Sequence, residues 1–118
     1  MDDASLPPRF LMQPETVTAR DGESAFLKCP VENAENYGQV WLKDQNTIAN
    51  GNRSMQPDLY DVFPNRTLLV KNVKPSTTGY YSCTIYISNS KKASLTHKLK
   101  LENGAEIVSL RAQNNITQ

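Results

Sequence analysis

The chain has 118 residues, 38% of them hydrophobic, which is enough for one modest core. Its 13 basic and 12 acidic residues leave a formal net charge of +1. With no block of like charge, nucleic acid and an anionic membrane surface are excluded as charge-held partners.

The residues 1–6 read as a flexible lead, and Ser5-Leu6-Pro7-Pro8 is an extended, proline-stiffened run into the domain. Arg9-Phe10-Leu11-Met12-Gln13 predicts a first strand, which Pro14 interrupts before Val17-Thr18-Ala19 resumes; proline cannot donate to a ladder and sits at strand breaks. Asp21-Gly22-Glu23 is a turn. After it Ala25, Leu27 and Cys29 alternate inward, while Ser24, Phe26 and Lys28 point out. Val31 to Asn36 is polar and loop-like, and Gln39-Val40-Trp41-Leu42-Lys43 is the next strand. Side chains alternate strictly along a strand, so with Trp41 in the core Val40 and Leu42 must face the other way.

Beyond Lys43 the alternation stops. Asp44-Gln45-Asn46-Thr47 predicts a turn, followed by Ile48-Ala49 and a loop Asn50-Gly51-Asn52-Arg53. Leu59 to Phe63 is a strand, Pro64-Asn65-Arg66 a turn, and Thr67 to Val73 a strand placing Leu68, Val70 and Val73 inward and Leu69 outward beside Phe26. After a corner at Lys74-Pro75-Ser76-Thr77 the chain runs on through Cys83, with Ile85 and Ile87 inward and Ser82, Thr84 and Tyr86 outward. Asn89-Ser90-Lys91-Lys92 is a hairpin, and Ala93 to Leu101 is the last strand, with Leu95, Leu99 and Leu101 inward. The residues 103–118 turn polar and read as a linker or stalk, with docking of Ile107 and Leu110 onto the domain as the alternative.

Cys29, Trp41 twelve residues later, and the run Thr77-Thr78-Gly79-Tyr80-Tyr81-Ser82-Cys83 together resemble the immunoglobulin pattern Cys…Trp…Tyr-x-Cys. The proline-split opening, PPRFLMQPETVTARDGES, resembles that of the intermediate set of these domains, and the resemblance covers residues 7–102. It implies an all-β, immunoglobulin-like antiparallel β-sandwich with one inter-sheet disulfide between Cys29 and Cys83. It further implies that Trp41 packs on that bridge in the core and that the Tyr81 hydroxyl bonds back to the backbone at the corner. The interval between the two cysteines leaves little room for the extra hairpin of variable-type domains, favouring an intermediate or constant-like topology. Where many members carry an aspartate two residues before the glycine, this chain has Thr77. The usual buried ion pair is therefore not expected, and the hydroxyl is free to bond the local backbone.

Two cysteines allow one intramolecular pair, and closing a loop of roughly 55 residues restricts the unfolded chain by about 4 kcal/mol. Such a bond persists in an oxidising compartment. Two buried thiols in a cytosolic sandwich are the competing reading, but the sequons at Asn52, Asn65 and Asn115, each at a turn or tail, favour a secreted glycoprotein. Met1 to Ser5 lacks the basic-then-apolar pattern of a leader, and no later run approaches spanning length. The expectation is an added initiator on a piece of a larger secreted or membrane-anchored protein.

Catalytic chemistry finds no support in the residue set. His97 is the only histidine, sits mid-strand with inward parity, and has neither a second histidine nor a spare cysteine to form a metal set or a nucleophile pair. A strand residue with a satisfied ring is the expected role, with no cofactor and no enzyme activity. Function then falls to surfaces. The sheet holding the Trp41, Cys83 and final strands presents Val40, Leu42, Thr84, Tyr86, Thr96 and Lys98 outward, an apolar and aromatic patch with a polar rim. The expected role is a protein–protein recognition module of an adhesion molecule or receptor ectodomain, its partner an extracellular or cell-surface protein, a second copy included, with no direct membrane binding. A structural module of an intracellular filament and a secreted ligand-binding decoy are the alternatives.

Overall fold

The computed structural model describes residues 6–102; the sequon at Asn115, together with Ile107 and Leu110, lies outside the described residues. Among the described residues there are eleven strands: β1 (Arg9–Phe10), β2 (Thr16–Ala19), β3 (Ala25–Leu27), β4 (Val31–Glu32), β5 (Gly38–Lys43), β6 (Asn46–Asn50), β7 (Arg53–Ser54), β8 (Tyr60–Val62), β9 (Leu68–Val70), β10 (Gly79–Ser88) and β11 (Lys91–Leu101). They form a six-stranded sheet in the order β2-β11-β10-β5-β6-β7 and a three-stranded sheet in the order β3-β9-β8, with β1 paired to β4. The two halves of the proline-split opening join different sheets: β1 pairs with β4, and β2 runs parallel to β11, from Lys98↔Thr16 to Leu101↔Ala19.

The inner faces of the two sheets meet in a core of Leu27, Leu68, Val70, Val73 and Leu99 around Trp41 and Tyr81. Cys29 and Cys83 are bonded across it, with S–S 2.06 Å and Cα–Cα 6.3 Å, and both are fully buried. Trp41 sits directly opposite Cys83 in the β5–β10 register. Its indole N–H donates to the Arg66 carbonyl at 3.0 Å, giving a buried ring the partner its polar edge needs. The Tyr81 hydroxyl donates to the Thr77 carbonyl, while the Tyr60 hydroxyl lies 3.2 Å from it and the two rings meet edge to face. Burial, and next the Tyr60 hydroxyl, push the Tyr81 phenol far above its ordinary range, so it stays a neutral donor. Thr77 itself is buried; its Oγ1 accepts from the Lys74 N–H and donates to the Lys74 carbonyl, both at 3.0 Å. The hydroxyl therefore closes the corner locally where an ion pair would otherwise stand.

Four local expectations are corrected. Val31 and Glu32 are not loop but strand, because β1 needs a partner and the chain just past Cys29 supplies it, with Arg9 Nε 2.6 Å from a Glu32 carboxylate oxygen. The segment after Lys43 is not a four-residue turn: Asp44 and Gln45, at φ 48° and 77°, make a two-residue turn, and β6 follows at once. A further tight turn at Gly51-Asn52 adds β7, so a short hairpin does fit. A bulge opposite Trp41 and Leu42 buries both Ile48 and Ala49, which breaks the alternation a strand would otherwise show. A second bulge skips Ile87 between Tyr86 and Ser88, leaving it half-buried instead of fully inward.

Asp44 locks the first of these turns to the neighbouring strand. Its N–H donates to the Tyr80 carbonyl at 2.9 Å, its carboxylate accepts from the Tyr80 N–H at 3.1 Å, and Lys43 Nζ lies 2.8 Å away. Gly79, at φ 141°, makes room for this, since a Cβ there would come within 2.8 Å of the carboxylate. The Lys43 contact first, and then the Tyr80 amide, hold the Asp44 carboxyl below its ordinary 3.8. The carboxylate form stabilises the fold fully above that ordinary value, and the contribution is lost as pH falls through the lowered folded value. Asp44→Asn is expected to lower the unfolding midpoint at neutral pH, with the gap to the parent closing as pH falls through that lowered folded value; acid titrations of both by circular dichroism measure it.

Candidate functional site: the outer face of the six-stranded sheet

The register of β5, β10 and β11 determines which side chains share the outer face. Val40 stands opposite Thr84, Leu42 opposite Ser82, Ser82 opposite Thr96, Thr84 opposite Ser94, Tyr86 opposite Lys92, and Tyr80 opposite Lys98. All six residues expected on this face point to it. They are not equally available. Val40 is only 8% exposed and Thr84 only 3%, so neither offers a surface to a partner. The reason is their position on the inner strands of a wide sheet: Val40 is flanked by Thr84 and Asn50, and Thr84 by Val40 and Ser94. Parity gives the direction of a side chain, whereas exposure also depends on its lateral neighbours.

Pairs of hydroxyls level the middle of the face. Ser82 Oγ lies 2.7 Å from Thr96 Oγ1, and Thr84 Oγ1 lies 2.8 Å from Ser94 Oγ, each pair bridging β10 and β11. Such cross-strand pairs satisfy their own polar groups and leave little to hydrate. Tyr86, 43% exposed, stands at one end of this floor and Tyr80, 53% exposed, at the other, with Leu42 half-buried between the strands. Lys98 is exposed, and its ammonium lies 5.8 Å from the centre of the Tyr80 ring, a cation–π distance. The sequence reading omitted Tyr80. The signal was present, because 80, 82, 84 and 86 share one parity, but the adjacent buried Tyr81 of the corner drew the assignment of that pair inward.

His97 is fully buried on the inner side of β11. Its Nδ1 accepts from the Glu15 N–H at 3.1 Å, which leaves Nε2 as the protonated nitrogen donating to the Lys28 carbonyl at 2.7 Å. The ring thereby joins the chain entering β2 to the end of the β3 segment, the satisfied strand histidine expected from its isolation. Among the described residues no three His, Cys, Asp or Glu side chains converge to hold a metal ion, and no helix is long and apolar enough to cross a membrane.

The chain belongs to the immunoglobulin-domain family, whose profile matches residues 7–86. Among curated proteins it is similar to human (Homo sapiens) hemicentin-1, 30% identical over 83 residues covering 70% of this chain and 1% of that protein. It is also similar to the human netrin receptor DCC, 29% identical over 90 residues covering 74% of this chain and 6% of that protein. It thus spans only a few hundredths of the length of these relatives. Among solved structures, a chain of the Dpr1 IG1 complex with DIP-eta IG1 superposes with a TM-score of 0.70 at 25% identity, covering 80% of this chain and 95% of that one.

Proposed function

We propose that this domain is a non-enzymatic extracellular recognition module that binds another protein, itself an immunoglobulin-type domain, through the outer face of the six-stranded sheet. The observation that carries the reading is the shape of that face. Two half-exposed tyrosines and Leu42 border a level floor of mutually satisfied hydroxyls, with Thr96 beside them and Lys98 at the rim. Tyrosine gives large contact area at small entropic cost, and a floor with few unmet hydrogen bonds is cheap to dehydrate. Thr84 is a buried member of this floor and Val40 packs beside it, so both are withdrawn as contact residues. Similarity to a netrin receptor, and to a domain solved in complex with another immunoglobulin domain, supports both the class of protein and the class of partner. Sequons at Asn52 and Asn65, both on exposed turns, and the buried cystine support the extracellular setting.

Sedimentation of the chain against itself, and surface binding to a panel of immunoglobulin-domain ectodomains, test the proposal. Leu42→Glu with Tyr86→Glu is expected to weaken whichever association is found by at least about thirtyfold, as loss of a central anchor does, with the melting temperature unchanged. Equal affinity in parent and variant would move the interface to the loops or the opposite sheet. Mass measurement of secreted material before and after reduction and glycosidase treatment tests the compartment separately. Two free thiols and no sugar would favour the intracellular filament module.

A further inference from the structure

The outer face of the three-stranded sheet carries a second apolar feature that the recognition face does not explain. Phe26 and Phe63 stack with ring centroids 6.1 Å apart and an interplanar angle of 24°, yet they remain 52% and 37% exposed. Leu69, expected to lie open beside Phe26, is its register partner but half-buried. Phe63 also opens the turn Phe63-Pro64-Asn65-Arg66-Thr67, which holds a sequon. The Arg66 N–H donates to the Phe63 carbonyl and the Phe63 N–H to the Thr67 carbonyl, both at 2.9 Å, and Arg66 takes φ 72°. These bonds continue the Val62↔Leu68 pairing by one step, so Phe63 and Thr67 face each other on the outer side of the sheet. The Asn65 side-chain Oδ1 accepts from the Thr67 N–H at 3.0 Å, which bends the amide back over the turn, and its exposed Nδ2 has no hydrogen-bond partner among the described residues.

We infer that Asn65 carries an N-linked glycan whose first sugar packs on the Phe63 ring beside Phe26, so that the modification covers this aromatic pair and stabilises the domain. The inference rests on the extracellular reading, since the modification needs the secretory route. In the transfer, the Asn65 Nδ2 forms a bond to the anomeric carbon of a lipid-pyrophosphate-linked oligosaccharide. The bond from that carbon to the phosphate oxygen breaks, the lipid pyrophosphate departs, and the amide nitrogen gives up one proton. A pyranose face presents several C–H groups to an aromatic ring, which is apolar burial with a favourable electrostatic component. The turn transmits that gain to the fold, because the Arg66 carbonyl within the sequon is the acceptor for the buried Trp41 indole. Asn52 is the internal contrast: it too lies exposed in a two-residue turn, but the residue two before it is Asn50.

The test uses the chain secreted from cultured animal cells behind an added leader, its glycans trimmed to a single sugar, with peptide mass mapping of Asn52 and Asn65. Melting temperatures are compared for the parent, Asn65→Gln, Phe63→Ser, and the double variant. The expected result is occupancy at Asn65 and a fall of about 4 °C or more on Asn65→Gln in the parent background, shrinking by at least about half in the Phe63→Ser background, where only the Asn65 Oδ1 turn bond is lost. Asn52→Gln is expected to leave the melting temperature unchanged. An unoccupied Asn65 in secreted, disulfide-bonded protein, or an equal loss in both backgrounds, overturns the inference while leaving the recognition reading intact. Failure of the parent to be secreted with its cystine formed would overturn both.

Discussion

Replacing both half-cystines, Cys29→Ala with Cys83→Ala, is expected to cost about 2–5 kcal/mol of unfolding free energy, the usual loss for a small domain held by one long-range bridge. The sequence separation of 54 makes the closed loop long, so the cross-link removes much of the freedom of the unfolded chain. The two sulfurs are also part of the packed centre: Trp41 lies opposite Cys83, and the Gln39 side-chain amide approaches its sulfur to 3.1 Å. Removing the bridge therefore leaves a small void beside the indole as well as a looser denatured state. A domain of this size starts with about 5–15 kcal/mol in total, so the variant should melt far lower or lose cooperativity. Thermal unfolding by circular dichroism, with and without reductant, measures it. A variant within about 1 kcal/mol of the parent would show that β-pairing and the aromatic core suffice without the bridge.

His97→Leu is expected to cost about 2–5 kcal/mol, although it exchanges one buried ring for an apolar side chain of similar size. The cost arises in the partners. The Glu15 N–H loses its acceptor and the Lys28 carbonyl its donor; both bonds are partly buried, and a backbone group left unsatisfied away from water costs about 1–3 kcal/mol. These two groups belong to segments entering β2 and leaving β3, which lie on different sheets, so the loss should loosen the link between sheets locally. His97→Gln supplies a donor of similar reach to Nε2 and is expected to recover part of the loss through the Lys28 carbonyl. Denaturant midpoints of the three proteins give the comparison, and hydrogen exchange at the Glu15 amide reports the bond directly. Unchanged protection of that amide in His97→Leu would mean that the ring is not its acceptor.

Much of the architecture can be read in the residues themselves. Alternation along Ala25 to Cys29 and along Leu68 to Val70 gives inward and outward faces without ambiguity, because a pleated strand permits only two directions. The Cys29, Trp41, Tyr81 and Cys83 set places the centre of the core through its resemblance to the immunoglobulin pattern. The β6–β7 hairpin and the β1–β4 pair were not legible. Their strands are short, and bulges or tight turns with positive φ at Asp44 and Gln45 interrupt the period on which such a reading depends.

The candidate face was half legible in the same way. Direction was correct for all six residues, yet Val40 and Thr84 are buried by their neighbours, and Tyr80 joins the face instead. The stacking of Phe26 on Phe63 lay beyond the reach of sequence, since 37 positions of chain and two strand pairings separate the rings.

The sequence by itself determined the family, the inward set of each long strand, the one cystine that two cysteines allow, and the solitary histidine with no partner for chemistry. Only the tertiary structure decided which outward side chains remain in contact with water, which backbone groups His97 satisfies, and which aromatic ring lies beside the Asn65 sequon. The physical reason is that alternation is a property of one strand, whereas exposure and hydrogen-bond partnership belong to the strands on either side, whose register the chain acquires only when the sheets assemble.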